Sequence, residues 1–361
     1  MIDRRSFVTA CGAAFLAGLA PFRQEALARS DALYVSACQK SDGAFAVALF
    51  TEDGTILHLE DCPARAHDAT VCPVSARIVV FARRPGTFAL VMDPSRRQTP
   101  FTIVSAAGRH FYGHGVFSRD GRLLYATEND FDAARGVVGI YDASDGFRRL
   151  GEFETHGIGP HEILLTPDGR TLAIANGGIE THPDFGRAKL NLDSMEPSIV
   201  FLDRRSGTLV ERHACEPRWR QLSLRHMTFD RSGDLWFGCQ YEGAQSDLPP
   251  LIGKVGREIG LRLLDMPAKH LQAMQNYVGS VASSNDGDHV AISAPHGNLI
   301  VIVDTAGRVV RTAALADGCG LAPRDGGFLA TSGEGQVVVL DTKDRAVTTK
   351  VRWDNHILRT N

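Results

Sequence analysis

Along most of its length the chain sets short apolar runs, rich in Val, Ile, Leu and Phe, between polar turns. That pattern predicts many short strands. One order recurs: an apolar strand, a turn with Asp-Gly or a near equivalent, a second apolar strand, a loop, and a third strand that ends in Asp. HGVFSRDGRLLYATEND, starting at His114, leads to VVGIYD ending at Asp142. HEILLTPDGRTLAIANGG, starting at His161, leads to SIVFLD ending at Asp203. SVASSNDGDHVAISAPHGN from Ser280 runs into LIVIVD ending at Asp304, and GLAPRDGGFLATSGEG from Gly320 runs into VVVLD ending at Asp341. HDATVCPVSARIVVFARRPG from His67 runs into FALVMD ending at Asp93, and HMTFDRSGDLWFGCQYEG from His226 follows the same line. Asp-Gly and Ser-Gly supply the positive φ angles of tight hairpin turns. A further turn and strand follow the terminal Asp, as in TLVERH after Gly207 and RVVRTA after Gly307. Each unit is therefore predicted to be a four-stranded antiparallel meander.

Units begin near residues 67, 114, 161, 226, 279 and 320, and a partial one lies at 356. The closing WDNHILR at 353–359 reads as an inner strand with nothing after it. LYVSACQ, FAVALFT and GTILHLE at the other end read as three strands with no inner strand before them. Joined, the two ends complete one blade and remove the exposed edges of an open sheet. The prediction is an all-β fold: a seven-bladed β-propeller closed by a C-terminal inner strand joined to the N-terminal blade. Only residues 267–277 carry an apolar spacing that suits a short helix.

Composition adds little to this. Thirty-six glycines in 361 residues agree with a turn-rich fold, and 39 basic against 42 acidic residues leave a net charge of −3. That balance excludes nucleic acid as a main partner. The N-terminus is more telling. Residues 3–8 read DRRSFV, an uncharged run follows to residue 22, and Ala26-Leu27-Ala28 matches a small-x-small cleavage site. Together they resemble a bacterial twin-arginine (Tat) signal peptide. Residues 1–28 are read as that signal and residues 29–361 as a single propeller domain. The expected location is periplasmic, with no stable membrane span after cleavage. In that oxidising compartment Cys62 and Cys72, close in sequence, are the expected disulfide pair, while Cys239 in an apolar run reads as a buried thiol.

The candidate chemistry lies in the repeat. Histidine stands at or just before the innermost strand in five of seven units: His67, His114, His161, His226 and His356. Counting back from the turn glycine puts Glu162, and not His161, opposite His114, which a one-residue bulge would reconcile. The ends of the neighbouring strands bring Arg83, Glu128, Asn129, Asn176, Gln240 and His296 toward the same mouth of the channel. With Glu162 they form the expected ligand-binding set, and the five histidines the expected metal set. Imidazole with carboxylate suits iron, zinc or copper. A repeated histidine can equally be architectural, its ring bonded to a neighbouring blade. An insertion at residues 177–198 brings His182, Asp184, Arg187 and Lys189, which would meet an anionic or metal-bound ligand if the insertion covers the mouth.

The leader, GHGVFSRDGRLLYATEND, GIGPHEILLTPDGRTLAIANGGIETHPDFGRAKLNL, the SLRH at 223–226 and the terminal WDNH resemble the DUF1513 family of bacterial periplasmic proteins. The likeness spans essentially the whole mature chain. It implies a propeller and a role in iron acquisition, because members are often encoded beside imelysin-type and di-haem oxidoreductase-like periplasmic proteins, the implied partners. It names no reaction. Cys-x-x-Cys-His is absent, so no covalent haem is expected, and GxxxxGK[ST], HExxH and GxSxG are absent too. No catalytic residue is assigned. The reading is a periplasmic binding or accessory protein for iron or another metal, with a His/carboxylate cup at one mouth of the channel. The alternatives are a metal-dependent propeller enzyme, a lactonase-like hydrolase or oxidoreductase using Glu128, Asn176, Gln240 and His161, and a protein-interaction platform with structural histidines.

Overall fold

The computed structural model describes residues 4–94, 98–256 and 259–360. Seven antiparallel sheets form a ring, as the repeat predicts. Blade 2 comprises Ala66–Val71, Ile78–Ala82, Phe88–Met92 and Phe101–Val104; blade 3 comprises Arg109–Phe117, Leu123–Asp130, Arg135–Asp142 and Arg148–Glu154. Blade 4 comprises Pro160–Leu165, Thr171–Asn176, Ser198–Asp203 and Leu209–Ala214; blade 5 comprises Leu222–Phe229, Leu235–Tyr241, Ile252–Gly256 and Gly260–Leu263. Blade 6 runs from Ser280–Ser283 to Val309–Ala314, and blade 7 from Gly318–Arg324 to Arg345–Thr348. The first strands of blades 2 to 7 neighbour one another around the axis.

The turn between the first two strands shows why the motif recurs. In blade 3, Ser118 Oγ donates to Asp120 Oδ1 (2.6 Å), that carboxylate accepts from the Arg122 amide (3.2 Å), and Gly121 takes φ +67°. Blade 4 repeats the device with Thr166, Asp168 and Gly169, and blade 6 with Ser284, Asp286 and Gly287. Local hydrogen bonds thus stop one strand and start the next without help from the core. The second and third strands of each blade are mostly buried on both faces because each blade packs between two others, while the outermost strands are largely exposed. Tyr125, Phe237 and Val301, from blades 3, 5 and 6, are fully buried.

Blade 1 contains Leu33–Gln39, Phe45–Thr51 and Ile56–Asp61, and the C-terminus supplies its inner edge. The ring therefore closes by strands from both ends of the chain. The closing strand is two short pieces and not one: Arg352–Trp353 pairs with Cys38 and Gln39, and Leu358–Arg359 pairs with Tyr34 and Val35. Between them residues 354–357 leave the ladder, with the Asp354 amide donating to Ala37 O and Ser36 Oγ donating to His356 O. Trp353 is buried, its ring 4.5 Å from that of Phe50.

Ala268–Met274 is the short helix expected in the connection to blade 6. Arg4–Ala17 and Pro21–Arg29 are helical, whereas Asp3 of the leader motif lies outside the described residues. No described helix is long and apolar enough to cross a membrane. The expected Cys62–Cys72 disulfide is not formed. All seven cysteines are free; Cys72 lies in a core cluster shared with blade 3 and Cys62 packs against another, so the fold separates two residues that are close in sequence. Cys239 is buried in the core of blade 5.

Candidate metal centre

Each histidine of the repeat sits on an interruption of its inner strand. Register shifts fall between Ala66 and Ala69, Phe111 and Gly115, Pro160 and Glu162, and Leu224 and Met227. These intervals contain His67, His114, His161 and His226, and the break in the closing strand contains His356. A bulge adds residues to one strand and re-aims their side chains. The bulge inferred at His161 is therefore one of a set. In blade 3 it needs glycine: Gly113 takes φ +108°, and a Cβ there would lie 2.5 Å from His67 Cδ2.

The bulges bring the five imidazoles into a closed circuit on the axis. Ring centroids are separated by 5.0 Å from His67 to His114, 4.7 Å from His114 to His161, 4.7 Å from His161 to His226, 4.7 Å from His226 to His356 and 4.6 Å from His356 back to His67. All five are buried. His67, His114 and His356 offer ligand atoms within 4.8 Å of one another, as do His114, His161 and His226. Each of the five has one buried ring nitrogen with no hydrogen-bond partner: Nδ1 of His67 and His226, and Nε2 of His114, His161 and His356. A buried polar atom left unpaired costs about 1–3 kcal/mol, so the two triads, which share His114, fit an absent partner. A metal ion meets that description: each neutral imidazole offers it one lone pair.

Three carboxylates border the layer, and Asp354 Oδ1 lies 3.6 Å from His67 Nδ1. Asp68 Oδ2 accepts from His114 Nδ1 at 2.9 Å, which leaves Nε2 as the ligand atom. Glu162 Oε2 accepts from the Met227 amide at 2.7 Å and lies 3.5 Å from His226 Nδ1. Burial holds His67, His161, His226 and His356 well below the usual histidine range, and cationic neighbours add to it. His114 goes the other way. Burial pushes it down, but the hydrogen bond and charge of Asp68 outweigh that and raise it, while burial lifts the Glu162 carboxyl to about 8. The layer is thus mostly neutral imidazole, the form a metal needs.

The remaining predicted residues divide. Arg83 and Gln240 line a cavity on one side of the layer, together with His67, His161 and His226. Glu162 lies on the other side, with Asp68, in a wider cavity of about 600 Å³. Glu128 is not brought to the layer. It is fully buried in blade 3, accepting from Tyr141 Oη and from Arg149 Nη2 at 2.9 Å. Side chains alternate along a strand, so Thr127 and Asn129 face one way and Glu128 the other. Asn129 donates to Thr181 O at 2.9 Å and contacts His110, supporting the insertion. Asn176 donates to Thr155 O (2.9 Å) in the connection from blade 3 to blade 4. His296 is exposed, its ring 4.0 Å from that of Tyr277. Of the insertion, Arg187 and Lys189 line the Arg83 cavity, while His182 turns toward Asp132 (3.5 Å). Asp68, Arg84 and Arg225 were not among the expected ligand residues. The signal for them was adjacency, since each flanks His67, Arg83 or His226 directly.

A comparison with curated proteins finds no match. Among solved structures, hydrazine synthase of Kuenenia stuttgartiensis is similar in fold, with 15% identity, a TM-score of 0.60, and coverage of 86% of this chain and 94% of that one. The family model described as a protein of unknown function, DUF1513, matches residues 60–360, which take in blades 2 to 7, the closing strand and all five histidines. The chain belongs to the DUF1513 family.

Proposed function

We propose that the protein is a periplasmic metal-binding propeller that carries or hands on a transition-metal ion, iron or a neighbour in the same series, held by His67, His114, His161, His226 and His356. The observation that carries this reading is the two triads of buried imidazoles, each imidazole with a ring nitrogen that makes no hydrogen bond. An all-imidazole donor set suits iron, copper, zinc or nickel and does not suit magnesium or calcium, which take oxygen ligands. Asp68 would keep His114 in the tautomer that presents Nε2, as carboxylates behind metal-bound histidines do. The metal, when bound, supplies a Lewis-acid or redox centre. Export through the twin-arginine route fits residues 1–28, since that route moves proteins already folded and loaded. Imelysin-type or di-haem periplasmic proteins are the partners this family context favours.

Metal content of protein exported by a bacterial host, followed by Fe(II), Zn(II) and Cu(II) titration of the stripped protein, tests the reading. One ion per chain is expected. Asp68→Asn should weaken binding by about 10–100-fold, and His114→Ala by more, while His58→Ala in the outer strand of blade 1 should leave it unchanged. Equal binding by all three variants would leave the histidines as channel architecture.

A further inference from the structure

On the side of the histidine layer away from Asp68 and Glu162 lies a cavity of about 150 Å³ in which five cationic side chains converge: Arg83, Arg84, Arg187, Lys189 and Arg225. Two are compensated. Arg83 Nη1 stands 3.6 Å from Asp354 Oδ1, and Lys189 is paired with Glu242. Among the described residues, Arg84, Arg187 and Arg225 have no carboxylate within ion-pair distance. Arg225 is only 9% exposed. Its Nε donates to Ser223 Oγ at 3.0 Å and its Nη1 lies 3.4 Å from His161 Nδ1, so its head is fixed by neutral groups. Arg187 Nη1 donates to Arg84 O at 3.4 Å, which holds the insertion over the cavity.

A buried guanidinium without a counter-ion is costly, and bringing further cations beside it raises that cost. Burial, then repulsion from neighbouring arginines, lowers the proton affinity of Arg84 and Arg187, and at Arg84 it outweighs the attraction of Glu242, which lines the same cavity beside Lys189. Nothing in the fold requires this crowding, because the three side chains come from blade 2, the blade 4 insertion and blade 5. Planar guanidinium forks match oxygen pairs of carboxylate and phosphate, and the volume admits a small molecule and excludes a polymer.

We propose that this cavity is an anion site, in which Arg84, Arg187 and Arg225 bind a small, multiply charged oxyanion, a di- or tricarboxylate or a phosphate. His67, His161 and His226 line the same cavity, so the anion would sit against the imidazole layer and within reach of an ion held there. The inference rests on the arginines and stands apart from the metal reading.

The test uses metal-stripped full-length protein at low ionic strength. Phosphate, sulfate, malonate and citrate are titrated by calorimetry, with chloride as reference. At least one oxyanion should bind at least about tenfold more tightly than chloride, and the ranking of phosphate against citrate identifies the source. Arg225→Gln should weaken that binding by about tenfold or more, as the loss of a buried charged partner does. Should that variant fail to fold, the Arg84→Gln/Arg187→Gln double variant, at a half-buried and an exposed position, carries the same expectation. No oxyanion binding above chloride, or undiminished binding in the double variant, overturns the proposal. Metal titration of the same variants separates the two readings: anion binding lost with metal binding intact supports the anion site alone.

Discussion

Blades 4 and 6 are built from the same meander and start their hairpins with the same hydroxyl–Asp–Gly turn, yet they treat the axis differently. In blade 4 the ladder is interrupted between Pro160 and Glu162, and the interruption carries His161. In blade 6 the inner strand pairs without a shift, from Ser280 with Ser293 to Ser283 with Val290, and no histidine faces the channel. Both blades close into the ring. Blade 7 adds a third case: its inner strand shifts register between Gly318 and Gly320, and the residue there is Cys319. A blade of this propeller therefore needs neither the bulge nor the imidazole to fold. The histidine layer is an addition to the architecture, kept despite five interior ring nitrogens that make no hydrogen bond.

The largest effect should come from removing the closure that both kinds of blade depend on. Deleting residues 353–361 takes away buried Trp353, Ile357 and His356 and leaves Arg65 and Arg83 without Asp354. A loss of more than about 4 kcal/mol is expected from the apolar burial alone. Urea unfolding reads it, and a midpoint close to that of the full chain would break the account of ring closure.

Acid stability of the metal-free protein sharpens the contrast between the blades. As pH falls below about 6.5, the unfolded chain protonates His67, His161, His226 and His356, while the fold keeps them neutral. Stability contributed by these four is present above that pH and lost as it falls. Glu162 and His114 are raised in the fold and act in the opposite sense, contributing stability at low pH that is lost as pH rises through their folded values. Near pH 5.5 the four lowered histidines outnumber the two raised groups, so the unfolded state binds more protons than the native state and stability falls as pH falls. Denaturation at pH 7.5, 6.5 and 5.5 measures it. A flat profile would contradict the neutral layer.

Smaller, and opposite in sign to the usual core substitution, is His356→Leu. Its Nε2 is buried without a partner, so in the metal-free protein the change should raise stability by about 1–2 kcal/mol, with metal affinity reduced. An architectural histidine would lose stability instead. Smallest is the same position in blade 6. Ser280→Ala should shift stability by less than about 1 kcal/mol and leave metal binding as it is, since the Ser280 hydroxyl makes no side-chain hydrogen bond among the described residues.

The site was legible in part. The five histidines could be found because a repeat places equivalent residues at equivalent positions, and even the bulge at His161 followed from its one-residue offset against the turn glycine. The carboxylates were harder. Glu128 ends a second strand and Glu162 adjoins His161 in sequence, but strand alternation turns Glu128 into blade 3 toward Arg149, and the bulge turns Glu162 toward His226. Asp68 follows His67 as Glu162 follows His161, and in each case the residue after the bulge histidine faces the next blade's histidine.

By itself the sequence determined the meanders, their number and the joining of the two ends, because hydrophobic alternation, turn chemistry and a missing inner strand are local properties repeated along the chain. It also determined which residue types reach the axis. Only the tertiary structure decided which nitrogens meet, which carboxylates border them, and that three arginines share one cavity with no carboxylate at ion-pair distance from any of them among the described residues. Those facts join residues as far apart as His67 and His356, or Arg84 and Arg225. Their distances depend on ring closure and on bulges that shift register by one or two residues, and a single-residue shift sends a side chain to the opposite face of its sheet.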